Sequence, residues 1–223
     1  ALARRVEFLY ETNVGAALPV IESLRTLVLN GDGIRKIEGI FSGTLSYLFN
    51  NFRERDSFSE IVAEAKAKGY TEPDPRNDLN GKDMGRKLLI LLREAGMNLE
   101  MADIRIESLI PDALKDIPDV SNFMTKLPEF DEYFREMKME AASEGKVLSY
   151  IAKYEDGKAC VQLEKIPADH PFASMKGSDN IMAFTTDDYN EVPLVIRGPG
   201  AGANITASGI FADILKISNY LGD

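Results

Sequence analysis

One cysteine and one histidine occur in 223 residues, and each scarcity excludes chemistry. Cys160 alone can form neither an internal disulfide nor a cysteine-based metal site, so a reducing compartment is the natural expectation. His170 alone leaves Ser-His-Asp catalysis and multi-histidine zinc sites almost nothing to work with. Basic residues are outnumbered, 26 against 36 acidic, and no basic cluster offsets the net charge of −10. A general nucleic-acid surface is therefore not expected. No apolar run approaches the roughly 20 residues that span a bilayer, and no period of 20–50 residues repeats. Acid–base work must fall to carboxylates, lysine or tyrosine.

Hydrophobic residues make up 44% of the chain, which fits a folded protein with a real core. The length suits one large domain or two small ones. The chain starts at Ala1 without a signal-like segment, and a piece of a longer protein is expected.

Residues 4–5 close a short stub, and 6–10 read as a strand. A small-residue loop at 13–17 leads to a helix over 20–29, with Pro19 at a position that a first turn tolerates. A strand over 34–41 runs through Ser42, Gly43 and Thr44 into a helix reaching about residue 52. Ser57 and Glu60 have capping-box spacing for a helix that ends at Gly69. A helix is expected over 79–95, a strand over 104–109, a short helix inside the proline-broken stretch 111–128, and an amphipathic helix over 129–144. Strands at 147–154 and 159–166 flank Asp156-Gly157, a strong hairpin signal. Two more strands at 181–185 and 193–197 precede a Gly-rich turn, 198–202, and a last helix over 203–220. This mixture lacks regular βαβ alternation and points to an α+β domain.

Residues 69–87 carry the chemistry. Glu72, Asp74, Asp78 and Asp83 crowd a loop that runs into a helix, and Lys87 stands directly before the apolar run 88–92. Five consecutive apolar residues go right round a helix, so Asp83 and Lys87 border a buried region where charge must be paired or used. At i,i+4 spacing they form either a surface ion pair of about 0.2–0.5 kcal/mol or an acid–base lysine held by carboxylates. The second alternative calls for a lysine whose pKa is lowered by partial burial and for a small substrate bearing an amine and an alcohol. The loop 11–18 has carbonyls that can converge on a hard cation, or it is simply a strand-to-helix turn. The turns at 42–44 and 198–202 have the same two readings, helix cap or backbone approach to a ligand. His170 reads as a loop residue.

The run Ala65-x₃-Gly69-Tyr-Thr-Glu-Pro-Asp-Pro75-x₂-Asp78-Leu-x-Gly81-x-Asp83-x₃-Lys87 resembles the homoserine dehydrogenase signature at every defined position. The segments at 10–15, 38–47, 170–173, 176–180 and 197–203 resemble that family too, so the likeness runs nearly end to end. The details are most similar to the dehydrogenase part of bifunctional aspartokinase–homoserine dehydrogenases. The resemblance implies a mixed sheet flanked by helices, and NAD(P)-dependent interconversion of L-aspartate 4-semialdehyde and L-homoserine on the route to threonine, isoleucine and methionine. It implies that Glu72 binds the substrate ammonium and that Asp78 and Lys87 sit at the reacting oxygen. Lys87 then donates the proton in the reducing direction and Asp83 orients it, while Tyr70, Gly43 and Thr44 line the pocket.

By the same resemblance Glu11, Val14, Ala16 and Leu18 hold a monovalent cation, sodium, and Gly202 approaches the nicotinamide of NADP or NAD. Ala17 stands where the family has glycine. A homodimer, a parent fused to an aspartokinase, and a cytoplasmic location (a plastid in a plant) are also implied. No strand–GxGxxG–helix unit occurs in residues 1–223. The dinucleotide-binding domain, with a second lysine near the substrate, is therefore expected upstream. Residues 1–5 would be its remnant, 6–200 the catalytic and dimerisation domain, and 201–223 a helix packing against it. A non-catalytic dimerisation or amino-acid-sensing module is the competing function; it would have lost Lys87 or the carboxylates, and all are present.

Overall fold

The computed structural model describes residues 7–52 and 57–221. The strands of the described residues are β1 (Ile34–Ile40), β2 (Ile104–Ile106), β3 (Lys146–Glu155), β4 (Lys158–Pro167), β5 (Asp179–Thr186) and β6 (Leu194–Pro199). They form one sheet in the order β2-β4-β3-β1-β5-β6. β2 runs parallel to β4 and every other pair is antiparallel, so the sheet is mixed, as expected. Asp156 (φ +49°) and Gly157 (φ +77°) close the β3–β4 hairpin with the two positive φ values that match the right-handed twist of its strands.

Strand pairing sorts side chains onto two faces. Ile37, Tyr150, Ala152, Val161, Met182 and Phe184 point into the main core. There they meet α1 (Val20–Leu29), α2 (Gly43–Asn51), α3 (Phe58–Ala67), α5 (Lys82–Glu94) and α7 (Asp131–Ser143), with Phe58 stacked on Phe134 at 3.9 Å between ring centroids. The other face carries Lys36, Glu38, Lys153, Gln162 and Glu164. A 3-10 turn, Pro171–Ser174, covers one end of it and builds a small second cluster from Ile40, Ile151, Phe172 and Ile181. The remaining helices are the one-turn α4 (Arg76–Leu79), α6 (Val120–Lys126) and α8 (Ala203–Leu221).

The stub at 1–5 lies outside the described residues. Residues 7–10 form no strand; Tyr10 instead donates its hydroxyl to Glu94 at the end of α5 and lies 4.9 Å beneath the Arg25 guanidinium. The expected 79–95 helix breaks at Gly81, whose φ of +69° ends α4 and starts α5. The 104–109 strand stops after Ile106, because Leu109 turns away and donates its amide to the Leu79 carbonyl. The Ser57–Glu60 capping box does not form. Asp131 of α7 takes its place, accepting from the Ser59 amide (2.7 Å) and hydroxyl (2.6 Å). A tertiary carboxylate satisfies that first-turn amide better than a local serine does.

Candidate active site

The signature stretch is built as two helix ends joined by a turn. α3 closes at Gly69 (φ +73°), with the Tyr70 amide donating to the Ala65 carbonyl and the Gly69 amide to that of Lys66. This swings residues 70–72 across the start of α2. Gly81 then aims α5 so that its first two turns face the same space, while Leu88, Leu89, Leu91 and Leu92 are buried behind them.

Asp83 and Lys87 are a real i,i+4 pair, with Nζ to Oδ2 at 2.8 Å. Lys87 Nζ also donates to the main-chain carbonyl of Phe41, at 2.8 Å. The Lys87 side chain is 21% exposed and that of Asp83 47%, so the pair stands at the border expected of it. Asp78 knits the opposite wall. Its Oδ2 accepts from the Glu72 amide and its Oδ1 from the Thr44 hydroxyl, both at 2.9 Å, while Thr44 Oγ1 lies 2.6 Å from the Tyr70 carbonyl. Burial raises the Asp78 carboxyl above its ordinary range; those two hydrogen bonds oppose it, and the charges of Glu72 and Asp83 add to it. Asp74 does not join the group, because its carboxylate is taken by Arg76 at 2.6 Å, which holds the loop to α6 through Phe123.

Lys87, Asp83, Asp78, Glu72, Tyr70, Gly43, Thr44 and Gly202 line one cavity of about 440 Å³. Every expected catalytic and substrate-binding position is thus brought to one place, with the Gly-rich turn as a wall. Two other clefts are larger. One of about 500 Å³ between Ile106–Asp112 and Tyr133 is chiefly apolar, and one of about 650 Å³ lies over Arg105 and Cys160 on the uncovered sheet face. The acid–base groups above converge on the 440 Å³ cavity rather than on either of these.

Glu11, Val14, Ala16 and Leu18 are elsewhere, in the loop that enters α1. The Glu11 carboxylate accepts from the amides of Ile21 (2.7 Å) and Glu22 (2.9 Å), capping a helix whose N-cap, Pro19, has no side-chain acceptor. Burial nonetheless raises the Glu11 carboxyl above its ordinary range. Gly15 and Ala16 take positive φ, whereas Ala17 does not; it packs against Gly209 of α8, where an added Cβ would come within 3.1 Å of Ala17 Cα.

Three features were not legible in the sequence. The Phe41 carbonyl is a main-chain atom that any residue could supply. Ser178, just before β5, reaches the cavity from more than 90 residues beyond the signature. His170 caps its 3-10 turn, Nδ1 accepting from the Phe172 amide at 3.3 Å, which leaves Nε2 facing Glu38 Oε1 at 3.4 Å.

The sequence model of the homoserine dehydrogenase family matches residues 19–215. A chloroplastic bifunctional aspartokinase/homoserine dehydrogenase of Zea mays is 52% identical over 222 residues, covering 99% of this chain and 24% of the relative. A crystal structure of a Candida auris protein of unknown function superposes with a TM-score of 0.91 at 46% identity, covering 94% of this chain and 60% of that one. A hyperthermophilic archaeal homoserine dehydrogenase mutant in complex with NADPH is 25% identical, with a TM-score of 0.68, covering 95% of this chain and 55% of that one. The chain therefore spans about a quarter of the length of its bifunctional relatives.

Proposed function

The chain belongs to the homoserine dehydrogenase family, and we propose that it is the substrate-binding and catalytic part of an enzyme that interconverts L-aspartate 4-semialdehyde and L-homoserine. The observation that carries this is the cavity where Lys87, paired to Asp83, faces Glu72 and Asp78. Glu72, its backbone fixed by Asp78, takes the substrate ammonium. Lys87 gives a proton to the aldehyde oxygen in the reducing direction, Asp83 orients it, and Asp78 stands beside the reacting oxygen. Thr44, Gly43 and Tyr70 shape the pocket. This activity belongs to the biosynthesis of threonine, isoleucine and methionine.

A dinucleotide, NADP or NAD, supplies or accepts the hydride when bound. The Gly-rich wall suits it: Asn180 fills the space a side chain at Gly200 would need, and Gly202, at φ +123°, leaves the backbone open to a planar ring. A Gly-rich domain upstream of Ala1 would hold most of it, with residues 1–5 as its end and α8 packing against it. Ile210, Phe211, Ile214 and Leu215 are exposed on α8, as such a contact requires. The 11–18 loop also fits a cation such as sodium. Its donors are all oxygens, and a positive charge beside Glu11 would offset the burial of that carboxylate.

The uncovered face of the sheet suits a second copy of the chain, giving a homodimer through residues 6–200. An aspartokinase half belongs to the proposed parent, as in the Zea mays relative. No helix among the described residues is long and apolar enough to cross a membrane, and a cytoplasmic or plastid location fits the proposed pathway. In the complete enzyme, Lys87→Ala should lower kcat at least about 10²-fold while homoserine still binds. Near-normal turnover would refute the role given to Lys87.

A further inference from the structure

We propose that Phe41 and Gly39 are the positioning residues for Lys87, Phe41 through its main-chain carbonyl and Gly39 by leaving room for the Phe41 ring. The inference rests on Lys87 being the proton donor.

An ammonium group has three N–H donors and no acceptor; a neutral amine has two donors and one lone pair. Lys87 Nζ meets two fixed acceptors, Asp83 Oδ2 and the Phe41 carbonyl oxygen, both at 2.8 Å. The same two hydrogens serve those acceptors in either protonation state. Only the third position, left for the cavity that Lys87 lines, changes between donor and lone pair. In the reducing direction a hydride forms the new C–H bond at the aldehyde carbon, and the carbonyl π pair moves onto oxygen. That oxygen takes the third proton of Lys87, whose N–H pair stays on nitrogen as the lone pair. The neutral amine keeps both anchors and regains a proton from solvent. Asp83 alone would fix one N–H and leave the amine free to rotate; the second anchor removes that freedom.

The carbonyl is held by packing. Phe41 directly follows β1 and is fully buried. Its ring lies against the Cα of Gly39: a Cβ there would overlap Phe41 Cε1, lie 2.9 Å from Cδ1, and approach the Ile181 carbonyl oxygen of β5 to 2.8 Å. Gly39 is not among the glycines with positive φ, so space rather than backbone conformation requires glycine. A side chain at 39 would have to push back both the ring and the Ile181 carbonyl, and the ring belongs to the residue whose own carbonyl holds Lys87.

The test uses the complete enzyme with Gly39→Ala, Phe41→Leu, the double variant, and Lys87→Ala. Gly39→Ala should lower kcat at least about tenfold with KM for homoserine within about twofold, and should enlarge the solvent hydrogen isotope effect on kcat. Phe41→Leu should give a smaller fall of the same kind. The double variant should regain part of the loss, because the shorter side chain makes room for the new Cβ. Unchanged kcat in Gly39→Ala beside an inactive Lys87→Ala would overturn this proposal and leave the role of Lys87 standing. Turnover in Lys87→Ala would overturn that role itself. Parallel losses in kcat and KM with no change in isotope effect would mean packing damage only and would overturn the proposal. Should Gly39→Ala fail to fold, an unchanged kcat and isotope effect in Phe41→Leu would overturn it equally.

Discussion

Tyr150 holds its hydroxyl against the Cα of Gly81, where a Cβ would overlap it. Tyr150 sits in the middle of β3, 99% buried, and donates that hydroxyl to the Glu107 carbonyl. Gly81 is the joint between α4, which carries Asp78, and α5, which carries Asp83 and Lys87. A core tyrosine of the sheet thus sets where α4 and α5 meet.

Gly81→Ala should therefore destabilise the protein by about 2–4 kcal/mol. The left-handed φ costs roughly 1 kcal/mol with a Cβ, and overpacking against a fixed hydroxyl adds about 1–3. The urea midpoint measures this, and a midpoint equal to wild type would refute the contact.

Glu72→Gln in the complete enzyme removes the charge proposed to meet the substrate ammonium. A charge-assisted hydrogen bond contributes about 1.5–3 kcal/mol, so KM for homoserine should rise about 10- to 100-fold. Steady-state kinetics should show kcat within a few-fold; a fall in kcat with unchanged KM would assign Glu72 to the chemical step instead.

Glu38 gives a pH signature. Burial alone would raise its carboxyl, but hydrogen bonds from His170 and Lys36 outweigh that and hold it below its ordinary value of 4.5. Because the folded value is the lower one, the stabilisation is fully present above about pH 4.5 and is lost as pH falls through the folded pKa. Glu38→Gln should cost about 1–3 kcal/mol at pH 6 and distinctly less at pH 3. Denaturant titrations at the two pH values check this, and an equal cost at both would show that the charge is immaterial.

The uncovered sheet face predicts self-association. Val195, on β6, pairs with Ala183 and stands 38% exposed on that face. The chain should sediment as a dimer at micromolar concentration, and Val195→Asp should shift it toward monomer, since a carboxylate buried without a partner opposes association. A wild-type monomer at that concentration would argue against the face as an interface.

Much of the fold was legible because its signals are local. Asp156-Gly157 can close a two-residue hairpin whatever surrounds it, and the strictly apolar run 88–92 following Asp83 and Lys87 at i,i+4 spacing fits a buried helix end. The boundaries that were misread were decided at long range. The Ser57 cap lost to Asp131, more than 70 residues on, and the helix expected from 79 was cut because Tyr150 and a left-handed Gly81 fix a joint there. Tyr10 left the expected strand for Glu94 and Arg25, partners no local pattern shows.

By itself the sequence determined the chemical inventory: carboxylates and one lysine in place of histidine or cysteine, at spacings that put Asp83 and Lys87 on one helix face. Helical periodicity is enough for that. Only the tertiary structure decided which carboxylates serve the cavity, bringing Asp78 to Thr44 and Glu72 while Asp74 went to Arg76. It also gave Lys87 its second anchor, the Phe41 carbonyl, 46 residues away in sequence. A main-chain oxygen has no sequence signature, and its position depends on how β1, β5 and α5 pack.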